Sequence, residues 1–356
     1  MTKSRIVWVD YAKLMGMYLI IVVHLPQVNE QLNFWITSFG IALFFFTSSL
    51  LDKGEPVGET FRKGFKSLMI PYFCFYLITY TWWLFAIYPY ISEYYGGASV
   101  FTAYIKPFIG MLVGEVAIMS YSLSSNVVLW FIPALFVTKL IFSFLLSIGK
   151  KKYLALILFN LFTIGFTYFF PLANCNLPFN LDNICMVFPF YTLGYVSKEY
   201  ILNVNFGKIG NLALVIFCVS VGWILSQQNG FVDVCKFSYA NNIFLFYINN
   251  ILGIAGIIFL AKLFSVYANK FLLYMAQNTI IILAFQGPFR ILTTILYQVI
   301  VGQSPISVEI KFTWYETLII STMTLFACLI PMYIINRYFL FMLGRTKKLS
   351  LSAAEK

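Results

Sequence analysis

The chain has 356 residues, of which 61% are hydrophobic, 20% aromatic and only 10% charged, with 39 Phe and 24 Tyr. Soluble domains run about 45–50% apolar and about 25% charged, so a water-soluble globule, a disordered chain and a disulfide scaffold are all excluded. The net charge of +11 has two readings, nucleic-acid binding or cytoplasmic loops of a membrane protein, and its distribution decides between them.

Ten stretches are long and apolar enough to span, at about residues 6–26, 34–51, 68–92, 127–148, 153–171, 183–198, 210–227, 243–264, 278–301 and 314–343. They are continuously hydrophobic and lack the period-two alternation of barrel strands. The expected fold class is an all-α integral membrane protein, a polytopic bundle of about ten transmembrane helices. A bilayer core about 30 Å thick takes roughly 20 helical residues, so the 16 residues of 183–198 are expected to be extended or buried among other helices.

Lys3, Arg5, Lys53, Arg62, Lys63, Lys66, Lys150, Lys151, Lys152, Lys198, Lys208, Lys262, Lys270, Arg337, Arg345, Lys347, Lys348 and Lys356 all fall on one alternating set of connections. The other set holds only Lys106, Lys236 and Lys311, while Lys13, Lys139 and Arg290 lie within spans. By the positive-inside rule both termini are cytoplasmic, and no nucleic-acid partner is needed to explain the charge. The first stretch is longer than a signal-peptide core and lacks a small-residue cleavage site, so it is expected to stay in the membrane. The long outer connection 93–126 carries a semi-apolar segment, 101–119, that reads as an interfacial or re-entrant helix. Without repeats or low-complexity tracts, the chain reads as one membrane domain (1–345) with a short cytoplasmic tail (346–356), placed in the cytoplasmic membrane as a multi-pass protein.

The six cysteines lack CxxC pairing, and one His at no familiar ligand spacing gives no zinc site, so no metal is expected. Buried or reduced thiols are the default reading. Cys175 and Cys185 flank one outer connection, which leaves a disulfide between them open.

An ionisable side chain at mid-membrane costs at least about 2.5–3.5 kcal/mol on insertion scales, so each should face protein or have a task. The first stretch carries three. At about 100° per residue, Lys13 lies about 60° and His24 about 40° from Asp10, and all three share one stripe. Asp10 and Lys13 are spaced to pair as helix glue, and a lone interfacial His is often a simple hydrogen-bond donor. Yet His24 is the single imidazole of the chain, so any general-base step by histidine falls to it. Thr279, Gln286 and Arg290 form a second polar stripe, within an arc of about 40° on the ninth stretch.

The segment Arg5-Ile6, Asp10-Tyr11-Ala12-Lys13 and then His24 resembles the Arg/Lys-x10-His signature of the acyltransferase 3 family of membrane acyltransferases. Further likenesses follow in family order: Leu43-Phe44-Phe45-Phe46-Thr47-Ser48-Ser49-Leu50, Lys66-Ser67-Leu68-Met69-Ile70-Pro71-Tyr72, Leu129 to Leu135, Pro189 to Tyr195, and Ala276-Gln277-Asn278-Thr279-Ile280. Within the family the chain resembles the fucose 4-O-acetylase-like branch. Two departures stand out: Gln286 occupies the place of a later family His, and Ser49 that of a second-helix Gly.

The resemblance implies transfer of an acyl group, most often acetyl, from cytoplasmic acyl-CoA to a hydroxyl of an exported glycan or glycolipid. Acetyl-CoA would be a co-substrate, with no tightly bound cofactor. Expected partners are membrane lipid, the acceptor glycan and polysaccharide-assembly proteins. Its expected site residues are His24 as base with Asp10 and Lys13; Arg62, Lys63 and Lys66 for the coenzyme phosphates; and Trp130, Gln286, Arg290 and Asn278 for the oxyanion or the acceptor. An acyl-histidine intermediate is the alternative to general-base catalysis. Trp82, Trp83, Tyr88, Tyr90, Tyr94 and Tyr95 read first as an interfacial belt and second as a sugar platform. Asn241, Asn242, Asn249 and Asn250 read first as helix–helix contacts. A transporter or flippase of a lipid-linked glycan, and an idle scaffold, are the competing classes.

Overall fold

In lipid every backbone N–H and C=O must be satisfied within the chain, which is why the apolar runs fold as helices. The computed structural model describes residues 6–27, 30–86, 105–114, 123, 125–170, 177–303 and 311–345. In chain order the helices are α1 (Val7–Val23), α2 (Gln31–Thr37), α3 (Gly40–Leu50), α4 (Val57–Gly64), α5 (Ile70–Ala86), α6 (Lys106–Val113), α7 (Phe131–Ser147), α8 (Lys152–Phe169) and α9 (Leu181–Val196). There follow α10 (Lys198–Asn203), α11 (Gly207–Asn229), α12 (Ile243–Ser265), α13 (Lys270–Gln277), α14 (Thr279–Ile300), α15 (Trp314–Ala327) and α16 (Leu329–Tyr338). Among the described residues no strand exceeds an isolated bridge.

Eight helical runs among the described residues are long and apolar enough to cross a bilayer, and they coincide with eight of the ten expected stretches. The first and sixth stretches are helical too, but as α1 and α9 they have 17 and 16 residues. Both are enclosed by protein. Ten residues of α1 and ten of α9 are buried, against three of the 18 in α8. A helix wrapped by neighbours need not match the hydrocarbon thickness alone, so these two can be short.

Small residues set the close approaches. At Gly194 of α9 a Cβ would run into Ser49 Oγ and the Phe46 carbonyl of α3, and at Gly253 of α12 into the Phe39 ring. Tight contact without a side chain is how helices associate when lipid competes for every apolar surface. Lys139, one of the three cations inside expected spans, sits 3.5 Å from Asp52 Oδ2. The Tyr191 hydroxyl donates to the same carboxylate at 2.5 Å, and Lys198 Nζ donates to the Asp52 carbonyl at 2.5 Å. One carboxylate at the end of α3 thus ties α7 and α9 together, giving the half-buried cation a partner.

Contacts between connections sort them into the two alternating sets. Lys198 meets Asp52, Lys262 Nζ donates to the Ile201 and Val204 carbonyls, and Gly344 lies on the Lys66 carbonyl. At the other end Gln27 bridges Phe312, and Gln227 donates to the Gln31 carbonyl. The described part of 101–119 is α6, which packs inward: the Tyr72 and Tyr76 hydroxyls, both fully buried, donate to the Met111 and Pro107 carbonyls at 2.8 Å. Tyr72 lies 14 residues before the end of α5 at Ala86, roughly 21 Å along the axis, so α6 is re-entrant. Cys175, Tyr88, Tyr90, Tyr94 and Tyr95 lie outside the described residues, as do Arg5 and the tail 346–356.

Candidate active site

His24 is the residue at which α1 stops. Its Nδ1 lies 2.6 Å from the Ile20 carbonyl. A carbonyl only accepts, so Nδ1 carries the hydrogen, and in the neutral ring Nε2 keeps a lone pair. This is the arrangement a general base needs: one nitrogen fixed by a hydrogen bond, the other with a lone pair to accept a proton.

Two cavities meet at this ring. One, of about 440 Å³, is an apolar shaft bordered by Met17, Ile20, Ile41, Phe44, Trp130 and Leu283, with Asp233 and Lys236 on its rim. The other, of about 340 Å³, is bordered by Trp82, Trp83, Asn126, Gln286 and Arg290. His24, Val127 and Val128 line both. The imidazole therefore stands where an apolar and a polar compartment touch.

The polar chamber is built around an interruption in α14. Pro288 has no N–H to give, which orphans the carbonyl of Ala284 four residues earlier. Asn126 Nδ2 donates to that carbonyl at 2.7 Å and reaches Thr79 Oγ1 of α5 at 3.3 Å. One amide thereby joins the start of the fourth span to α5 and α14, all three of which wall the chamber. Gln286 is 2% exposed, and neither of its amide atoms has a hydrogen-bond partner among the described residues. A buried amide with nothing to bond is costly unless a bound molecule or water completes it. Arg290, one turn further on, adds a positive charge to the same chamber.

Of the other residues expected at the site, Trp130 is buried against the apolar shaft, not in the polar chamber. Asp10 and Lys13 border neither cavity; at about 1.5 Å per residue they lie roughly 21 and 16 Å from His24 along α1. Asn278 is also elsewhere. It precedes α14, donates to the Tyr274 carbonyl at 2.7 Å and accepts from Asn336 at 2.9 Å, so it braces α13 and α14 against α16. Asn242 caps α12 by accepting from Phe244 and Leu245, and Asn250 bonds the Phe246 carbonyl, as helix-packing residues do.

The expected phosphate-binding cations divide. Lys63 and Lys66 line a third cavity, of about 320 Å³, with Ser67, Ile280 and Arg345, whereas Arg62 does not border it. Lys63 is held by Glu55 at 2.6 Å and Glu59 at 3.0 Å. Lys66 sits in a widened π turn, Phe65–Met69, just before Pro71. Gly344, with φ of +61°, lets the chain end approach Lys66 where a Cβ would strike its carbonyl, and this brings in Arg345.

The sequence did not single out Asn126, Arg345 or the 231–236 segment on the shaft; Trp82 and Trp83, read first as an interfacial belt and second as a sugar platform, line the polar chamber. One signal was available for Asn126. A proline in a long apolar helix announces an orphaned carbonyl one turn back, and a neighbouring Asn is a natural donor.

No curated protein and no solved structure matches this chain. Residues 6–350, nearly the whole chain, match the acyltransferase domain of the acyltransferase 3 family. By that match, and with its helical membrane architecture, the chain belongs to the acyltransferase 3 family of membrane acyltransferases.

Proposed function

We propose that the protein moves an acyl group from cytoplasmic acyl-CoA to a hydroxyl of a glycan or glycolipid, with His24 as the general base. The observation that carries this is the single imidazole, its Nδ1 bonded to Ile20 and its ring on the wall of both an apolar and a polar cavity. The acceptor alcohol occupies the polar chamber, where Trp82 and Trp83 offer flat apolar faces to a sugar ring. Nε2 removes the hydroxyl proton as the oxygen attacks the thioester carbon. The carbon–sulfur bond then breaks, and the imidazolium gives its proton to the departing sulfur, so the coenzyme leaves as the thiol and the base is restored.

Negative charge builds on the carbonyl oxygen during attack. Gln286 Nε2 and the Arg290 guanidinium are the donors at hand in the chamber, and once a bound acceptor displaces water such donors are worth far more than at a surface. Gln286 takes the place of the second family imidazole as a donor that titrates at no physiological pH.

The coenzyme enters from the other end. Lys63, Lys66 and Arg345 are positioned for its phosphates. Ile280 of that basic cavity and Leu283 of the apolar shaft are one turn apart on α14, followed by Gln286 and Arg290. A single helix thus runs from the phosphate site to the polar chamber.

The test is His24→Ala in native membranes, with released coenzyme thiol and acylated glycolipid as readouts. Insertion and expression are expected to be unchanged and acceptor-dependent thiol release to fall at least about 10²-fold. Substrate movement across the membrane without thiol release, by wild type and variant alike, would establish a carrier instead.

A further inference from the structure

The apolar shaft at His24 is larger than the reaction just described requires. We propose that it is an acyl-chain pocket, and that the group this enzyme transfers is a medium-length chain of about six to eight carbons and not the two-carbon acetyl. The inference rests on the acyl-transfer reading and names the substrate class of the same site.

Size is the first argument. The shaft measures about 440 Å³, whereas one water needs only about 10–15 Å³ on this scale, so an acetyl methyl would leave most of it unfilled. An apolar cleft filled only by a methyl group forfeits most of the contacts its lining could make, contacts that a longer chain would supply. Depth is the second. The shaft extends from His24 to Met17, seven residues along α1, or about 10 Å. With carbon–carbon bonds of about 1.5 Å in zigzag, that is the reach of six to eight carbons.

Chemistry excludes the other occupants. The coenzyme's pantetheine arm carries two amides and a hydroxyl, and a sugar carries several hydroxyls, all of which need partners when buried. The wall beside α3 is Thr37, Gly40, Ile41 and Phe44, and the Thr37 hydroxyl already donates to the Asn33 carbonyl at 2.7 Å. The charges on the lining are already paired, Lys236 Nζ to Asp233 Oδ2 at 3.5 Å, and the lysine side chain is 79% exposed. An alkyl chain is the one part of either substrate that asks nothing of such a wall. Placing it there also leaves the thioester carbon at the imidazole, with the polar chamber free for the alcohol. The atoms balance as in the reaction above: the acyl carbon gains an oxygen bond, loses its sulfur bond, and the tail takes no part.

Straight-chain acyl-CoA thioesters of two to twelve carbons, presented to native membranes containing the full-length protein, test this through thiol release and the mass of the acylated product. The kcat/KM is expected to rise about four-fold per methylene, the gain from one buried CH₂, up to six or eight carbons and then to fall. Filling the shaft with Ile41→Trp should cut the eight-carbon to two-carbon rate ratio at least ten-fold and move the optimum shorter. Gly40→Leu, whose first added carbon would meet Ile20 Cδ1 at 3.2 Å, provides the same test should the first variant fail to insert. A wild-type profile that is flat or best with acetyl, or variants that slow every length alike, overturns the chain pocket and leaves the acyltransferase reading standing. Absence of thiol release from every thioester by the wild type overturns both.

Discussion

A histidine ring with one nitrogen tied to a carbonyl has its tautomer chosen for it, and at His24 the backbone makes that choice. The Ile20 carbonyl belongs to the last turn of α1, where helical carbonyls lack an N–H partner, so the bond satisfies the helix end and orients the base together. Gln286 presents the opposite situation, an amide that is buried and, among the described residues, unbonded. Activity and stability should therefore part company there. Gln286→Leu is expected to lower kcat about 10²–10³-fold, the effect of losing one oxyanion donor. The same change should leave thermal stability in detergent equal or higher by on the order of 1 kcal/mol, since no bond is lost and a desolvated amide is removed. A marked drop in stability with modest loss of activity would make Gln286 a packing residue.

At the scale of elements, Pro288 and Asn126 act as one unit. The proline breaks the hydrogen-bond ladder of α14 and the asparagine repairs it from outside, which fixes the helix against the start of the fourth span at the chamber wall. Asn126→Ala should cost about 1–3 kcal/mol, because it leaves the Ala284 carbonyl buried and unpaired. Pro288→Ala restores an N–H to that carbonyl. The double variant is thus expected to be less damaged than the sum of the single ones, with a coupling of at least about 0.5 kcal/mol in a thermal unfolding cycle. Strict additivity would show that the two residues are independent. The α9–α3 contact has no such slack: Gly194→Ala places a carbon against Ser49 and a main-chain carbonyl, and overpacking of this kind typically costs about 1–3 kcal/mol. Ser49→Gly beside it should recover part of the loss, measured as folded yield.

Taken as a whole molecule, the bundle has a strongly basic end and a weakly charged one, and the connections at each end touch one another as the alternation requires. Lys151→Cys in a cysteine-free background is expected to react with a membrane-impermeant maleimide only after the membrane is opened; labelling of intact cells would invert the orientation. The membrane environment and the helices were legible without coordinates, because lipid imposes continuous apolar runs and leaves few alternatives. In the sequence His24 stands out only as the chain's single imidazole. Three things were not legible. Asp10, Lys13 and His24 share a stripe, yet a stripe says nothing about distance along the axis, and only His24 reaches the cavities. Asn278 stands just ahead of the helix that carries Gln286 but braces it against α16. The two compartments at the imidazole arise from residues far apart in the chain, Trp82, Asn126, Phe231 and Gln286 among them, brought together by packing that no local pattern encodes. Hydrophobicity is a property of each segment and can be read in order; a cavity is a property of what several segments fail to fill, and it exists only once they have packed.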